Sequence, residues 1–305
     1  MKLLSRLATA CSLCLALATV PSLTAAAYPD KPVQLIVTVG AGGATDIMAR
    51  TLADALGQEL GQPVVVVNRP GASGLIGAQD LVRAPADGYT LLMTQTTLST
   101  LNSLLFKELP YKPQELVHIS LVAETPLVLV AHPKVPATNV AELVSYAKAH
   151  PGELNFATIG RGTLSYLGGE MLKAAAGIDL VPVMYNSTPA AHTDVLSGRV
   201  QLIFDNITTA KANVEAGKVR ALGVTTMERA ALMPEVPTIA ESGIADFDVK
   251  GWYGLVAPPG TPPAVVQALH AAVEKVMATE AVRKRLEPLG AKVMSTTPAA
   301  FEAYV

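Results

Sequence analysis

Short apolar runs alternate with amphipathic stretches along almost the whole chain after residue 28. Residues 33–39 form a mainly apolar run, which is typical of a strand buried on both faces. Met48, Leu52 and Leu56 then fall on one face of a predicted helix, which Gly61 and Pro63 end. The same alternation predicts helices at 73–82 and 164–176 and strands at 64–67, 90–93, 155–159, 180–183, 201–204 and 221–224.

Strands separated by helices predict an α/β fold in which parallel strands carry helices on both faces. At 305 residues the chain is long enough for about two domains. We therefore expect two lobes, each with a mainly parallel sheet, and a ligand cleft between them. The chain is expected to cross near residues 124–126 and 250–252, so that 28–124 plus 251–305 form lobe one and 125–250 form lobe two.

The first 27 residues have the pattern of an export signal. Lys2 and Arg6 precede an apolar stretch of 14 residues, 7–20, and three alanines end at Ala27. We expect cleavage near Ala27 and a periplasmic protein. Two alternatives stay open: an amphipathic helix kept in the mature chain, and a lipid-anchored start at Cys11 or Cys14. These are the only two cysteines, so cleavage would remove every thiol.

Charge and composition argue against several classes of function. The formal net charge is −2, basic residues form no block, and aromatic residues make up only 5% of the chain, so we expect no nucleic-acid partner. The five histidines lack metal-ligand spacing, and we expect them on the surface or in loops. We predict no metal and no cofactor.

Two glycine-rich turns, each between a predicted strand and a predicted helix, are the most informative local feature. They are residues 40–46, GAGGATD, and residues 160–163, GRGT. A helix N-terminus leaves backbone N–H groups unpaired and carries partial positive charge, and glycine lets a ligand approach that backbone closely. One turn in each lobe suggests an anion held between opposing helix ends. Thr45, Thr163 and Ser165 can add hydrogen bonds, Asp46 is expected to cap its helix, and Asp205 ends a strand where it can face the ligand.

Enzymatic alternatives find less support. Gly40 and Gly42 match the start of a dinucleotide-binding fingerprint, but Thr45 stands at its third glycine and no acidic residue follows the next strand. No GxSxG motif occurs, and the SxxK at Ser145–Lys148 is interpreted as a solvated helix face. A hydrolase with a pair of cleft carboxylates stays open as an alternative.

Motifs spread over the whole mature chain make it resemble the Bug (TctC-like) family, the extracytoplasmic solute receptors of tripartite tricarboxylate transporters. The matching segments are YPDKP at 28–32, GGATD at 42–46, NRPGA at 68–72, DGYTL at 87–91, FDN at 204–206, VPT at 236–238 and WYG at 252–254.

The resemblance implies a type II periplasmic-binding fold that closes on a small carboxylate. Lobe one would contribute Gly42, Gly43, Ala44, Thr45 and Asp46, with Thr94 and Gln95 beside them; lobe two would contribute Arg161, Gly162, Thr163, Ser165, Tyr166, Tyr185 and Asp205.

The chain departs from the family pattern at several of these positions. The family usually has histidine at Tyr166, Pro-Phe at residues 38–39, and a cation and glycine after Tyr185, where this chain has Asn186 and Ser187. Arg161 is a candidate for restoring the cation toward a second ligand carboxylate. Family members also usually continue for one more helix beyond Val305.

The function expected from this resemblance is a non-enzymatic, monomeric receptor that delivers a small organic acid to membrane permease subunits. A receptor that signals to a membrane kinase is the main alternative. The sequence does not specify the carboxylate.

Overall fold

A computed structural model describes residues 28–305, so the predicted export signal lies outside the described residues. The strands are β1 (Val33–Val37), β2 (Val64–Asn68), β3 (Thr90–Gln95), β4 (Val117–Ala131), β5 (Asn155–Thr158), β6 (Val181–Met184), β7 (Leu202–Asn206), β8 (Arg220–Val224), β9 (Lys250–Ala257) and β10 (Lys292–Val293). The helices are α1 (Ala44–Leu60), α2 (Leu75–Arg83), α3 (Asn102–Leu105), α4 (Val140–Ala149), α5 (Leu164–Ala176), α6 (Thr188–Leu196), α7 (Ile207–Glu215), α8 (Pro263–Met277), α9 (Glu280–Leu286) and α10 (Pro298–Tyr304).

All ten strands belong to one continuous curled sheet in the order β2-β1-β3-β9-β4-β7-β5-β6, with β8 and β10 also paired to β4. The outer strands are parallel, whereas β4 and β9 run antiparallel to their neighbours. The α/β fold class predicted from the sequence is confirmed.

The 15-residue strand β4 connects two groups of strands. Its first part, to Pro126, pairs with β9, and its last part, Leu127–Ala131, pairs with β7 and β8. Thr125 lies opposite Gly251, and Pro126 lies opposite Lys250. The chain therefore passes twice through the same narrow region, close to the two predicted crossings.

The buried side chains form separate hydrophobic clusters on either side of the two crossings. Two clusters draw their buried members from residues 33–123 and 252–301. Two others draw theirs from residues 127–249. Because apolar burial is the main favourable term in folding, each group of strands has a hydrophobic core of its own.

Helix α5 shows how local sequence fixes these elements. It spans the predicted residues, begins after the N-cap Thr163 and ends at Gly177, whose φ of 62° is the left-handed C-cap conformation. Gly168 and Gly169 face Phe204 and Phe156 so closely that a β-carbon would clash with either ring. These glycines therefore allow α5 to lie directly on the sheet, which fixes where its N-terminus points.

None of the helices within residues 28–305 is both long and apolar enough to cross a lipid bilayer.

Candidate functional site

The first glycine-rich turn lies exposed at the carboxyl end of β1 and leads into α1. Residues 40–44 are exposed, whereas Thr45 and Asp46 are buried. Gly43 is the N-cap of α1, so the prediction that Asp46 caps this helix is wrong. Asp46 is instead the third helical residue, and its carboxylate reaches back to accept a hydrogen bond from the Gly42 N–H at 2.9 Å.

Hydrogen bonds within the protein occupy the Asp46 carboxylate. Its Oδ2 accepts from Arg50 Nε at 2.9 Å, and its Oδ1 accepts from Asn68 Nδ2 at 2.8 Å. The hydrogen bond from Arg50 lowers the pKa of Asp46 to about 2, with burial opposing and Gly42 and Asn68 assisting. Asp46 therefore shapes the turn from behind, while the first N–H groups of α1 have no partners within their own helix.

Thr94 and Gln95, expected after the third strand, are the last two residues of β3, which lie beside the start of β9. Thr94 is fully buried and its hydroxyl lies 2.7 Å from the Ser99 hydroxyl, so it faces inward, whereas Gln95 is half-buried. The next residue, Thr96, accepts a hydrogen bond from the Trp252 N–H at 3.0 Å. The end of β3 is thereby tied to one of the two crossing strands.

The second glycine-rich turn leads into α5. The Thr163 hydroxyl accepts from the Tyr166 N–H at 3.3 Å and donates to the Gly160 carbonyl at 2.7 Å. Ser165 Oγ donates to the Ala157 carbonyl at 3.2 Å, so both hydroxyls predicted to bind ligand already have protein partners. Arg161 is exposed, and Gly162 and Tyr166 are half-buried.

Two contacts bring the second turn toward residues of the first group of strands. A β-carbon placed on Gly162 would lie 2.6 Å from Leu105 Cδ1, at the end of α3. A β-carbon on Gly251, at the start of β9, would lie 3.3 Å from Leu164 Cδ1, in the first turn of α5. The second turn and the segment after β3 therefore face each other beside the crossing strands.

Tyr185 and Asp205 also have partners within the protein. The Tyr185 hydroxyl donates to Asp194 Oδ2 at 2.7 Å, and burial together with this bond raises the pKa of Tyr185 to about 12. Asp205 is buried near the end of β7, where its Oδ1 accepts from the Asn206 N–H at 2.8 Å. These side chains are held in place rather than free to reorient toward a ligand.

His192 and Leu105 are two residues near these groups that the sequence patterns do not single out. His192 Nε2 lies 3.0 Å from Asp205 Oδ1, a short but poorly aligned contact that resembles an ion pair more than a directed hydrogen bond. The Asp205 carboxylate raises the pKa of His192, and burial opposes this effect. The sequence signal for Leu105 was the apolar triplet 104–106, which continues the helical spacing of Leu98 and Leu101.

The expectation that the histidines lie on the surface or in loops is wrong for part of the set. His118 is buried on β4 with its ring edge-on to Phe301, and burial lowers its pKa. His192 is half-buried on α6. A single histidine in an otherwise apolar helix or strand leaves the hydrophobic periodicity unchanged. The sequence pattern therefore does not distinguish a buried histidine from an exposed one.

A cavity of about 730 Å³ lies beside the crossing strands β4 and β9, between the segment after β8 and the segment from α9 to β10. Arg229, Lys250, Arg283, Lys292 and Glu124 are among the residues that line it. None of the predicted site residues does. This cavity is therefore distinct from the two glycine-rich turns.

The chain is similar to known proteins over almost its full described length. The family model for the tripartite tricarboxylate transporter family receptor matches residues 48–301. The structure of the periplasmic binding protein BugD is 37% identical, covers 91% of this chain and 93% of BugD, and superposes with a TM-score of 0.73.

Two similar structures from Rhodopseudomonas palustris contain bound carboxylates. Rpa4515 with adipate is 32% identical with a TM-score of 0.78, over 91% of this chain and 93% of Rpa4515. MatC with bound malate is 32% identical with a TM-score of 0.74, over 91% of this chain and 96% of MatC.

Proposed function

Because this chain belongs to the tripartite tricarboxylate transporter family of receptors, we propose that it binds a small organic carboxylate in the periplasm and delivers it to membrane permease subunits. The observation that carries the proposal is the family match, together with the adipate and malate in two relatives that superpose over nine tenths of the chain. The chain is a binding protein in this proposal, with no chemical step.

The ligand would lie between two lobes, 28–124 plus 251–305 and 125–250. The separate hydrophobic clusters support this division, because their buried members change over between Ala123 and Leu127 and between Val249 and Trp252. The crossing at Thr125–Pro126 and Lys250–Gly251 is the region about which the lobes would rotate. For a ligand to drive closure, it must bind the closed arrangement more tightly than the open one.

Backbone N–H groups at the starts of α1 and α5 would supply the main attraction for the carboxylate. The N-terminal end of α1 is formed by Gly42, Gly43, Ala44 and Thr45. The N-terminal end of α5 is formed by Gly162 and Thr163. Partial positive charge at both helix ends favours an anion. Arg161 is exposed within the second turn and would meet a second carboxylate.

Five of the predicted side chains already have a hydrogen-bond partner in the protein, so they would act mainly by positioning the backbone and the neighbouring side chains of the cleft. They are Asp46, Thr94, Ser165, Tyr185 and Asp205. Gln95 and Tyr166 would line the cleft as half-buried side chains. Micromolar affinity requires about −8 kcal/mol, which two helix ends, a few hydrogen bonds and lobe closure can supply.

Isothermal titration calorimetry of the mature chain against mono-, di- and tricarboxylates and acidic amino acids tests the proposal. We expect saturable binding of at least one carboxylate and no binding of its amide, which has the same shape without the charge. A folded protein that binds none of the panel contradicts the assignment.

Two further measurements test the finer parts of the proposal. Recovery of the bound compound unchanged after incubation is expected of a receptor, whereas its conversion would favour the hydrolase alternative. Size-exclusion chromatography is expected to give a monomer, and cell fractionation to find the protein in the periplasm.

A further inference from the structure

We propose that Leu105 is a specificity-determining residue that limits the length of the carboxylate held at the second turn. This inference rests on the proposed function. The inference starts from the contact between Leu105, in the first group of strands, and the backbone of Gly162, in the second. A β-carbon placed on Gly162 would lie only 2.6 Å from Leu105 Cδ1.

The segment that presents Leu105 is firmly anchored. A π-helix, Thr97–Leu101, continues directly into α3, and Leu98, Leu101 and Asn102 are buried. Asn102 Nδ2 donates to the Ser73 carbonyl at 3.2 Å. The wide turn of a π-helix is uncommon and is often found at functional sites. Because the start of the segment is fixed, the position of its last turn is defined.

The end of the same segment projects outward and is apolar. Leu104, Leu105 and Phe106 are 79%, 45% and 41% exposed. Of these three, Leu105 is the one that reaches the second turn. Ile159, immediately before that turn, is also 46% exposed, so a second exposed apolar side chain adjoins the turn. Such exposure of several large apolar side chains in one place is typical of a contact surface.

The position of Leu105 determines what it would do to a ligand. A carboxylate on the N–H groups at the start of α5 has the Leu105 methyl groups beside it, because Gly162 immediately precedes the N-cap Thr163. The rest of the ligand then extends past an aliphatic side chain that offers no hydrogen bond. Hydrocarbon chains of suitable length gain contact there, and longer chains meet the leucine itself.

The first experiment measures chain-length selectivity by calorimetry, using the dicarboxylates succinate, glutarate, adipate, pimelate and suberate. Leu105→Ala is expected to raise the affinity for the longer members relative to the shorter ones by about tenfold, a typical effect of one methylene in an apolar pocket. Leu105→Phe is expected to shift the ratio in the opposite direction. Leu104→Ala is the matched control, because Leu104 is more exposed, and it should leave the ratio unchanged.

The second experiment tests the contact without any ligand. Residues 28–305 contain no cysteine, so a double variant Leu105→Cys, Gly162→Cys carries the only two thiols of the mature chain. Leu105 Cδ1 lies 2.6 Å from the position of a β-carbon on Gly162, so a small shift brings two cysteine β-carbons into the disulfide range of roughly 3.5–4.5 Å. Mild oxidation should therefore cross-link this pair and not the pair Leu104→Cys, Gly162→Cys.

The outcomes separate the two proposals. Binding with an unchanged chain-length ratio in Leu105→Ala, or equal cross-linking of both cysteine pairs, overturns the role of Leu105 and leaves the receptor function intact. Absence of binding by every probe and every carboxylate of the wider panel overturns the receptor function, and the role of Leu105 with it. A ratio that moves in opposite directions in the Ala and Phe variants, with cross-linking only at residue 105, supports the inference.

Discussion

Asp46 combines burial with three hydrogen-bond donors from different parts of the first turn and its surroundings. Removing its charge leaves Arg50 without its ion-pair partner at 2.9 Å. We expect Asp46→Asn to lower the free energy of unfolding by about 2 kcal/mol, the usual contribution of a hydrogen bond to a charged group. Urea unfolding at pH 7 measures this change.

The same residue predicts a pH dependence. Because the pKa of Asp46 is lowered from 3.8 to about 2, its stabilising effect is complete above about pH 4 and is lost as the pH falls toward 2. The Asp46→Asn variant should therefore lose less stability than the wild type between pH 5 and pH 3. Asp54→Asn, on the exposed face of the same helix, is the control. Equal acid sensitivity of wild type and Asp46→Asn would contradict this role.

His192 makes a second prediction at this scale. Its pKa is raised above 6.5 by Asp205, so the pair stabilises the fold at pH values below about 6.5, and this contribution is lost as the pH rises through the pKa of the folded state. NMR titration of the imidazole should show that Asp205→Asn lowers the pKa of His192. The resonance of His118, which packs against Phe301, should be unaffected. An unchanged His192 titration would show that Asp205 is not the cause.

At the scale of single elements, the N-cap of α5 links stability to the second turn. Thr163→Ala removes the acceptor for the Tyr166 N–H and is expected to cost about 1 kcal/mol of unfolding free energy. It should also weaken carboxylate binding, because the turn loses the bond to Gly160. Thr163→Ser should retain both. Thr279→Ala removes the N-cap of α9 and should reduce stability without reducing affinity. Equal loss of affinity in both alanine variants would argue against a specific role for Thr163.

Elements with local signals were predictable, and elements defined by distant contacts were not. Helix α5 was predicted at its observed bounds because its cap, apolar face and terminal glycine all lie within its own sequence. The helix predicted from residue 73 begins at Leu75, since Ser73 takes a φ of 54° in a short turn before it. The π-helix and the placement of Leu105 depend on contacts to Ser73 and to the second turn, which no local pattern contains.

Site residues followed the same rule. The two glycine-rich turns could be found from the sequence because glycine before a helix is a local pattern. Asp46 contacts Asn68, 22 positions away, and Asp205 contacts His192, 13 positions away. The periodicity of a single sequence does not encode such pairs.

At the scale of the whole molecule, β4 couples two hydrophobic cores. Trp252, the only tryptophan, is buried on β9 beside it and accordingly reports on the crossing region. Because one 15-residue strand belongs to both groups of strands, we expect them to unfold together. Urea transitions followed by Trp252 fluorescence and by far-ultraviolet circular dichroism should coincide. Separate midpoints would show that the two cores unfold independently.

Thr225 gives the crossing a further consequence. Its N–H donates to the Leu127 carbonyl, its hydroxyl accepts from the Leu127 N–H at 2.9 Å, and its carbonyl accepts from the Val249 N–H at 2.8 Å. The stretch from 127 to 249 thus begins and finishes at the same threonine. In the folded protein the two ends of this stretch are therefore neighbours, so the polypeptide leaves the first group of strands and re-enters it at one point, which is the geometry of an insertion into a host domain.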